Sequence, residues 1–256
     1  MFSWFSSRKG QVDAWATMRQ VGSEPPLPVR ENEMKEISLE PFVQACLQAG
    51  YHRYALAPSG SRGLSKKDYA ALWPSHVQVL LAELFETPSV VLVDRTLSAE
   101  GLARLLPMDS RTVHPKECRD LVPVPSGADG ATAKRYIAFV SLGFSSGHRS
   151  FTTSADDFCA RLPEEYKPLV AEEAVHVSVQ YRELLRGFTA RNVGPYSMRV
   201  PGTTVGTKSV MCVKRDWYGN LILSTSRRDT CDNTPGKDIN DFCGNGSRLT
   251  RVIQVA

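Results

Sequence analysis

The sequence predicts an α+β fold in which a helical N-terminal half packs on a mostly antiparallel C-terminal sheet. In the first half, apolar residues between Phe42 and Leu47 recur at the spacing of one helix face. In the last third, the runs at 208–213 and 220–225 have the composition and length of strands. Helices and strands that occupy separate parts of a chain are typical of α+β domains rather than of repeated βαβ units.

An extended N-terminal arm, residues 1–34, precedes a single predicted domain at 35–256. The proline-rich run at 25–28 excludes a helix or a central strand there, because proline has no N–H and a fixed φ. The first helix begins near Ser38. It ends at Gly50, a residue type that readily adopts the left-handed conformation found after helix ends.

Two further helices are predicted in the first half. Ser65, with Asp68 three residues later, is a typical N-terminal cap, and the helix that follows should stop before Pro74. Ser75 is a second cap, for a helix that runs to Glu86 along a stripe of apolar residues.

The middle of the chain is predicted to mix strands and helices before the strands of the last third. The clearest element is a long helix from about Leu169 to Phe188, because its apolar residues fall on one stripe. The other predicted elements are strands at 89–94, 135–144, 208–213, 220–225 and 248–255, and helices at 97–106 and from Thr153 or Ser154 to Arg161.

Composition is that of an ordinary globular protein in a reducing compartment. The chain has 256 residues, of which 42% are hydrophobic and 23% charged, so its core needs neither disulfides nor a metal. The 6 cysteines are scattered without a C-x-x-C pair, which favours free thiols and a cytoplasmic location, while a Cys231–Cys243 bridge stays open. No signal peptide and no apolar run of transmembrane length is apparent.

Positive charge is concentrated in the last third of the chain. Residues 182–256 carry 12 Lys and Arg against 6 Asp and Glu, whereas the rest carries 19 against 21. The net charge of +4 is too small to indicate nucleic-acid binding by itself, which needs clustered Lys and Arg to neutralise several phosphates. The basic C-terminal β region is therefore the expected functional surface.

Within that region, the best local candidate for a ligand site is the pair Arg227 and Arg228 with Asp232. The planar guanidinium of arginine suits a carboxylate or a phosphate. Cys231 is a candidate nucleophile that would need a histidine base, and His148, at the end of a predicted strand, is the candidate partner. An irregular loop shaped only by turn residues is the alternative.

No metal or cofactor is predicted. Glu173 and His176 have the i, i+3 spacing of a carboxylate–histidine metal site, but no second copy exists and a solvated helix face is the favoured interpretation. His114 and Cys118 lack the second pair of ligands that a structural zinc needs. Neither a phosphate-binding nor a dinucleotide-binding fingerprint is present.

The order of elements resembles that of a family of uncharacterised bacterial proteins, mainly from actinobacteria. The resemblance rests on four segments and would imply a single bacterial cytoplasmic domain, without implying an activity. The segments are Phe42 with Ala49-Gly50-Tyr51; 88–94 followed by 98–102; 136–144 leading into Asp157-Phe158; and Glu172-Glu173-Ala174 followed by a β-rich end with Gly-Asn.

These observations favour a non-enzymatic binding or scaffold protein. Its expected contacts with a protein partner are the basic β region and the arm, whose tip carries Phe2, Trp4 and Phe5; a weak interfacial membrane contact of that tip is an open alternative. The second hypothesis is that the chain is a hydrolase or transferase that acts on an anionic substrate through Arg227 or Arg228. Nucleic-acid binding is the third.

Overall fold

A computed structural model describes residues 34–80, 89–97, 118–126, 132–141, 154–181, 197–215, 221–229 and 243–255. Within these ranges strands outnumber helices. The helices are α1 (Glu40–Ala49), α2 (Lys66–Ala71), α3 (Ala155–Arg161) and α4 (Ala171–Gln180), with a 3₁₀ turn at Tyr51–Arg53. The strands are β1 (Met34–Ser38), β2 (His76–Leu80), β3 (Ser89–Asp94), β4 (Cys118–Asp120), β5 (Arg135–Ser141), β6 (Tyr166–Pro168), β7 (Ser197–Val205), β8 (Ser209–Arg215), β9 (Leu221–Arg227), β10 (Cys243–Asn245) and β11 (Ser247–Val255).

The strands form three sheets. A four-stranded sheet has the order β3-β5-β11-β6 and is antiparallel throughout. A five-stranded sheet has the order β10-β7-β8-β9, with β4 also paired to β7, and only its β10–β7 pair is parallel. Strands β1 and β2 form an antiparallel two-stranded sheet.

Gly246 is the point at which the chain passes between the two larger sheets. Its amide donates to the Arg199 carbonyl of β7 (3.0 Å), and its carbonyl accepts from the amide of Leu169 (3.0 Å). The Leu169 carbonyl in turn accepts from the Gly202 amide of β7 (2.9 Å). A Cβ added at Gly202 would lie 2.5 Å from the Leu169 carbonyl oxygen, so this close approach requires glycine there. A Cβ added at Gly246 would instead meet the end of the Leu169 side chain at 2.5 Å.

Helix α4 is the central element of the core. It packs against β3, α1, β7 and β8, and every residue from Glu173 to Ser178 is buried. A helix that is buried on nearly all sides cannot be held by a single apolar stripe. Its polar side chains must therefore find partners in the surrounding strands.

One set of partners is the open edge of β3. The Gln180 side-chain amide accepts from the Leu92 N–H (2.9 Å) and donates to the Leu92 carbonyl (2.7 Å), as a neighbouring strand would. Next to it, His176 Nε2 accepts from the Asp94 N–H (3.1 Å), and the Tyr181 hydroxyl donates to the Val90 carbonyl (2.6 Å). The spacing of His176 and Gln180 along α4 matches that of Asp94 and Leu92 along β3, because four helical residues rise about 6 Å and two strand residues about 6.6 Å.

The predicted division into a helical N-terminal half and a C-terminal sheet is wrong. The described residues form a mostly antiparallel β structure, with strands from both halves and helices between them. The helix predicted after Ser75 begins instead as strand β2, because Val77 and Val79 alternate with exposed His76 and Gln78 and pair with β1.

Several local predictions are confirmed. Gly50 ends α1 with a φ of 89°, and Ser65 caps α2 by accepting from the Asp68 amide. Ser154 caps α3 in the same way. The strands predicted at 89–94 and 248–255 correspond to β3 and β11. Residues 98–106, 182–188 and the arm before Met34 lie outside the described ranges.

Candidate functional site

A buried ion pair joins the end of β3 to the start of β5. Arg135 Nε lies 3.3 Å from Asp94 Oδ2, although the two are not aligned as a hydrogen bond, and both side chains are 5% exposed or less. Asp94 Oδ1 accepts from the amide (3.0 Å) and the hydroxyl (2.6 Å) of Thr96. Arg135 also donates to the Leu56 carbonyl, so the pair fastens the loop after α1 to the sheet.

A second buried carboxylate lies at the start of α4. Glu173 Oε1 lies 2.7 Å from Arg248 Nε of β11 and accepts from the Tyr136 hydroxyl (2.9 Å) of β5, while Oε2 accepts from the Val170 amide (3.2 Å). Burial raises the pKa of Glu173, and the Arg248 charge and these hydrogen bonds oppose that shift. The same burial, with the nearby Glu173 charge, raises the pKa of Tyr136. The group joins α4 to two strands of one sheet.

His176 lies in the core and not on a solvated helix face, so that expectation is wrong. It is 0% exposed, and its Nδ1 lies 2.8 Å from the Glu172 carbonyl. Because Nε2 accepts from the Asp94 amide, Nδ1 must carry the proton, and both ring nitrogens are used. The ring also stacks edge-on against Tyr51, with centroids 5.4 Å apart. His176 therefore has a structural role, without a free nitrogen for chemistry.

A cluster of polar atoms without partners lies beside this histidine. The hydroxyls of Tyr51 and Tyr69 and the indole N–H of Trp73 are buried and make no well-aligned hydrogen bond with the residues that the structure describes, although Tyr69 lies near Cys46 and Trp73. Burial is the main cause that raises the pKa of Cys46 and of both tyrosines, and the Asp94 charge adds to it. The Cys46 thiol is therefore protonated at neutral pH and is a poor nucleophile.

The two arginines predicted to bind a ligand each hold a carboxylate. Arg227 is exposed and makes a bidentate contact with Asp229 (Nε–Oδ1 3.1 Å, Nη2–Oδ2 2.9 Å), and this contact lowers the pKa of Asp229. Arg228 reaches Asp156 at the start of α3 (Nη2–Oδ1 2.7 Å). They bind different carboxylates, as expected of neighbouring residues at a strand end, and do not form a joint clamp.

The remaining predicted site residues lie outside the described ranges. These are Cys231, Asp232 and His148, which belong to the predicted ligand and enzyme site, and Phe2, Trp4 and Phe5 of the arm. Their convergence with Arg227 and Arg228 stays a prediction, as does the pairing of Cys231 with Cys243.

A basic segment at residues 51–67, here called the basic loop, is not among the predicted sites; it includes the 3₁₀ turn and the first two residues of α2. It carries Arg53, Arg62, Lys66 and Lys67 and no Asp or Glu. All four side chains are exposed, and none forms an ion pair with the described carboxylates, whereas Arg95, Arg135, Arg227, Arg228 and Arg248 all do. The sequence contains this signal as four cations that precede the next acid, Asp68, but the larger basic excess of the C-terminal third obscures it.

Strand β1 is the second exposed feature. It pairs with β2 along one edge, and four of its five residues are exposed, including Met34 at 50%. Only Ile37 packs against the core. The strand begins where the predicted arm ends, so any contact made by the arm would continue directly onto its backbone.

The described residues contain no group of three or more His, Cys, Asp or Glu side chains placed to hold a metal ion. In those same ranges no helix has the length and apolar character needed to cross a bilayer. No family model matches the chain, nor does any curated protein or solved structure. The resemblance to the bacterial family therefore stays a prediction.

Proposed function

We propose that the chain is a non-enzymatic binding protein that contacts a protein partner through its N-terminal arm and strand β1, with the basic C-terminal β region as a second contact. The observation that supports this most is the edge of β1 opposite β2, with which no described strand pairs. An exposed edge strand presents unpaired N–H and C=O groups, to which an extended segment of another protein can add as a further strand.

The direction of these groups follows from the β1–β2 ladder. The Leu39 amide donates to the Ser75 carbonyl (2.8 Å), which extends the register in which Ser38 faces His76. Because N–H groups alternate sides along a strand, those of Met34, Glu36 and Ser38 point away from β2. These three amides would bind the partner strand.

The core supports a binding role in a different way. The buried charges Asp94 and Glu173 are engaged with arginines, and Nε2 of His176 joins α4 to β3 while Nδ1 binds a carbonyl of α4 itself. Such groups make the domain a rigid support for its surface. Lys35 and Glu36 on β1 place charges beside the edge, which discourages indiscriminate strand pairing and favours a specific partner.

The experiment compares capture of partners by the whole chain, by a chain of residues 34–256, and by the variants Glu36→Pro and Glu36→Gln. Proline removes one outward N–H without touching the β1–β2 ladder, and glutamine makes the matched change of charge. We expect the shortened chain and Glu36→Pro to lose the same partner while Glu36→Gln retains it. Equal capture by all four proteins, at equal thermal stability, would refute the proposal.

A further inference from the structure

The basic loop (51–67) is held in a defined conformation. Leu56 and Arg62 form an antiparallel bridge, and the Leu64 amide donates to the His52 carbonyl (2.6 Å). Gly60 and Gly63 have φ values of 87° and 85°, in the left-handed region that favours glycine, so the turns are built into the sequence. The cations are therefore presented by an ordered hairpin-like loop.

The charges act together at His52, which lies just beneath this surface. The residue is 8% exposed, and its Nδ1 has no hydrogen-bond partner among the described residues. Burial lowers the pKa of His52, and the charges of Arg53 and Lys66 lower it further. The loop geometry brings its two ends together, because the Leu64 amide binds the His52 carbonyl and the Arg53 carbonyl lies 3.6 Å from a Cβ added at Gly63. Arg53, Arg62 and Lys66 are therefore presented from neighbouring backbone positions, which is an arrangement that favours a bound anion.

The chemistry of the loop narrows the kind of anion. The hydroxyls of Ser59 and Ser61 lie 3.1 Å apart at its tip, next to Gly60, where an added Cβ would meet nothing within 4 Å. These two hydroxyls bind each other, which leaves one donor for a ligand, and Arg62 spends one N–H on the Tyr54 carbonyl (3.3 Å). A hydroxyl donor, an open glycine and exposed Lys and Arg side chains are groups that bind phosphate in proteins. A single carboxylate would engage fewer of these groups, because it carries less charge and fewer oxygens.

We propose that the basic loop is a binding site for a phosphate group, carried either by a small soluble molecule or by a lipid headgroup. The site does not depend on the proposed β1 contact, since the two surfaces share no residue. It also differs from Arg227 and Arg228, whose charges are already engaged with Asp229 and Asp156.

The test is calorimetric titration of the whole chain with inorganic phosphate at low ionic strength, with sodium chloride of matched ionic strength as the blank. We expect saturable binding with a Kd on the order of 1 mM or below. Lys66→Gln and Arg62→Gln should each weaken it by about three- to tenfold, the usual range for one charged contact. Lys208→Gln, which removes one exposed cation from the β7–β8 turn, should leave it unchanged.

Two further readouts complete the test. Bound phosphate should raise the pKa of His52 in a histidine NMR titration, because an anion offsets the neighbouring cations. Vesicles of phosphatidylcholine with and without a phosphoinositide distinguish the sources: much tighter binding to the phosphoinositide vesicles assigns a headgroup, and binding no tighter than inorganic phosphate assigns a soluble ligand. Absence of saturation in every arm, or equal weakening by Lys208→Gln, would overturn the proposal.

Discussion

Removal of Arg248 should be among the most destabilising single substitutions in the core. Its side chain is 3% exposed and that of Glu173 is 0% exposed, with Nε and Oε1 2.7 Å apart. Arg248→Met leaves the carboxylate buried with only the Tyr136 hydroxyl and the Val170 amide as partners. Breaking a buried pair in this way costs about 3–5 kcal/mol, because one charge is left uncompensated.

Equilibrium unfolding in urea measures this cost. With a slope of about 3 kcal/mol per M, the midpoint should fall by about 1 to 1.7 M. The matched control is Glu172→Gln, which breaks the Arg95 pair, whose side chains are 25% and 23% exposed. That change should cost about 1 kcal/mol or less. Equal midpoint shifts for the two variants would refute the role assigned to burial.

The remaining predictions concern pH, the covered edge of β3, the unpartnered hydroxyls and a close backbone approach. Burial raises the folded pKa of Glu173 above the ordinary value of 4.5. The resulting contribution to the free energy of unfolding is fully present below about pH 4.5 and is lost as the pH rises through the folded pKa. Glu173→Gln should remove this part of the pH dependence of unfolding. Gln180→Ala should speed hydrogen exchange of the Leu92 amide but not that of the β3 amides paired with β5. Unchanged exchange at Leu92 would contradict the protection of the β3 edge by Gln180. Tyr69→Phe should change the free energy of unfolding by about 1 kcal/mol or less in either direction, since its hydroxyl makes no well-aligned hydrogen bond with a described residue and has only weak contacts with Cys46 and Trp73 to lose; a larger loss would show that the hydroxyl binds something. Gly202→Ala, whose Cβ would lie 2.5 Å from a backbone oxygen, should lower the melting temperature more than Gly206→Ala, where φ is 66° but the space is open.

Local signals in the sequence were sufficient for caps and for some strands. Ser65 is identified by an Asp three residues later, and Gly50 by its position after an apolar helical stripe. The sequence leaves the cap of α3 between Thr153 and Ser154, and the structure shows Ser154 in that role. These signals act over a few residues, so a linear reading can detect them. The strand at 89–94 is similarly evident, because a short β-branched run between breakers is typical of a buried strand.

Strand β2 shows where the local signal was ambiguous. The sequence after Ser75 satisfies both a helical stripe and a two-residue alternation over His76–Leu80. Pairing with β1, about 40 residues earlier in the chain, selects the strand. Such long-range pairing overrides intrinsic preference, which is why β structure was under-predicted in the first half.

The polar residues of α4 show the same limit at the level of the site. Glu173 and His176 looked like a solvated face because charged helix residues are seldom buried. Their partners, Tyr136, Arg248 and the Asp94 amide, lie 37 to 82 residues away in other elements. No local pattern encodes those contacts, whereas the exposed cations of the basic loop can be found in the sequence as four Lys and Arg residues before Asp68.

The binding role of the arm and β1 is the central claim, and one measurement tests it most directly. The affinity of the whole chain for the protein it captures is compared with that of residues 34–256 and of the Glu36→Pro variant, at matched thermal stability. Loss of the arm, and loss of the outward N–H at Glu36, should each raise the Kd by about tenfold or more, equivalent to about 1.4 kcal/mol of lost contact. Equal Kd values for all three proteins would contradict the claim.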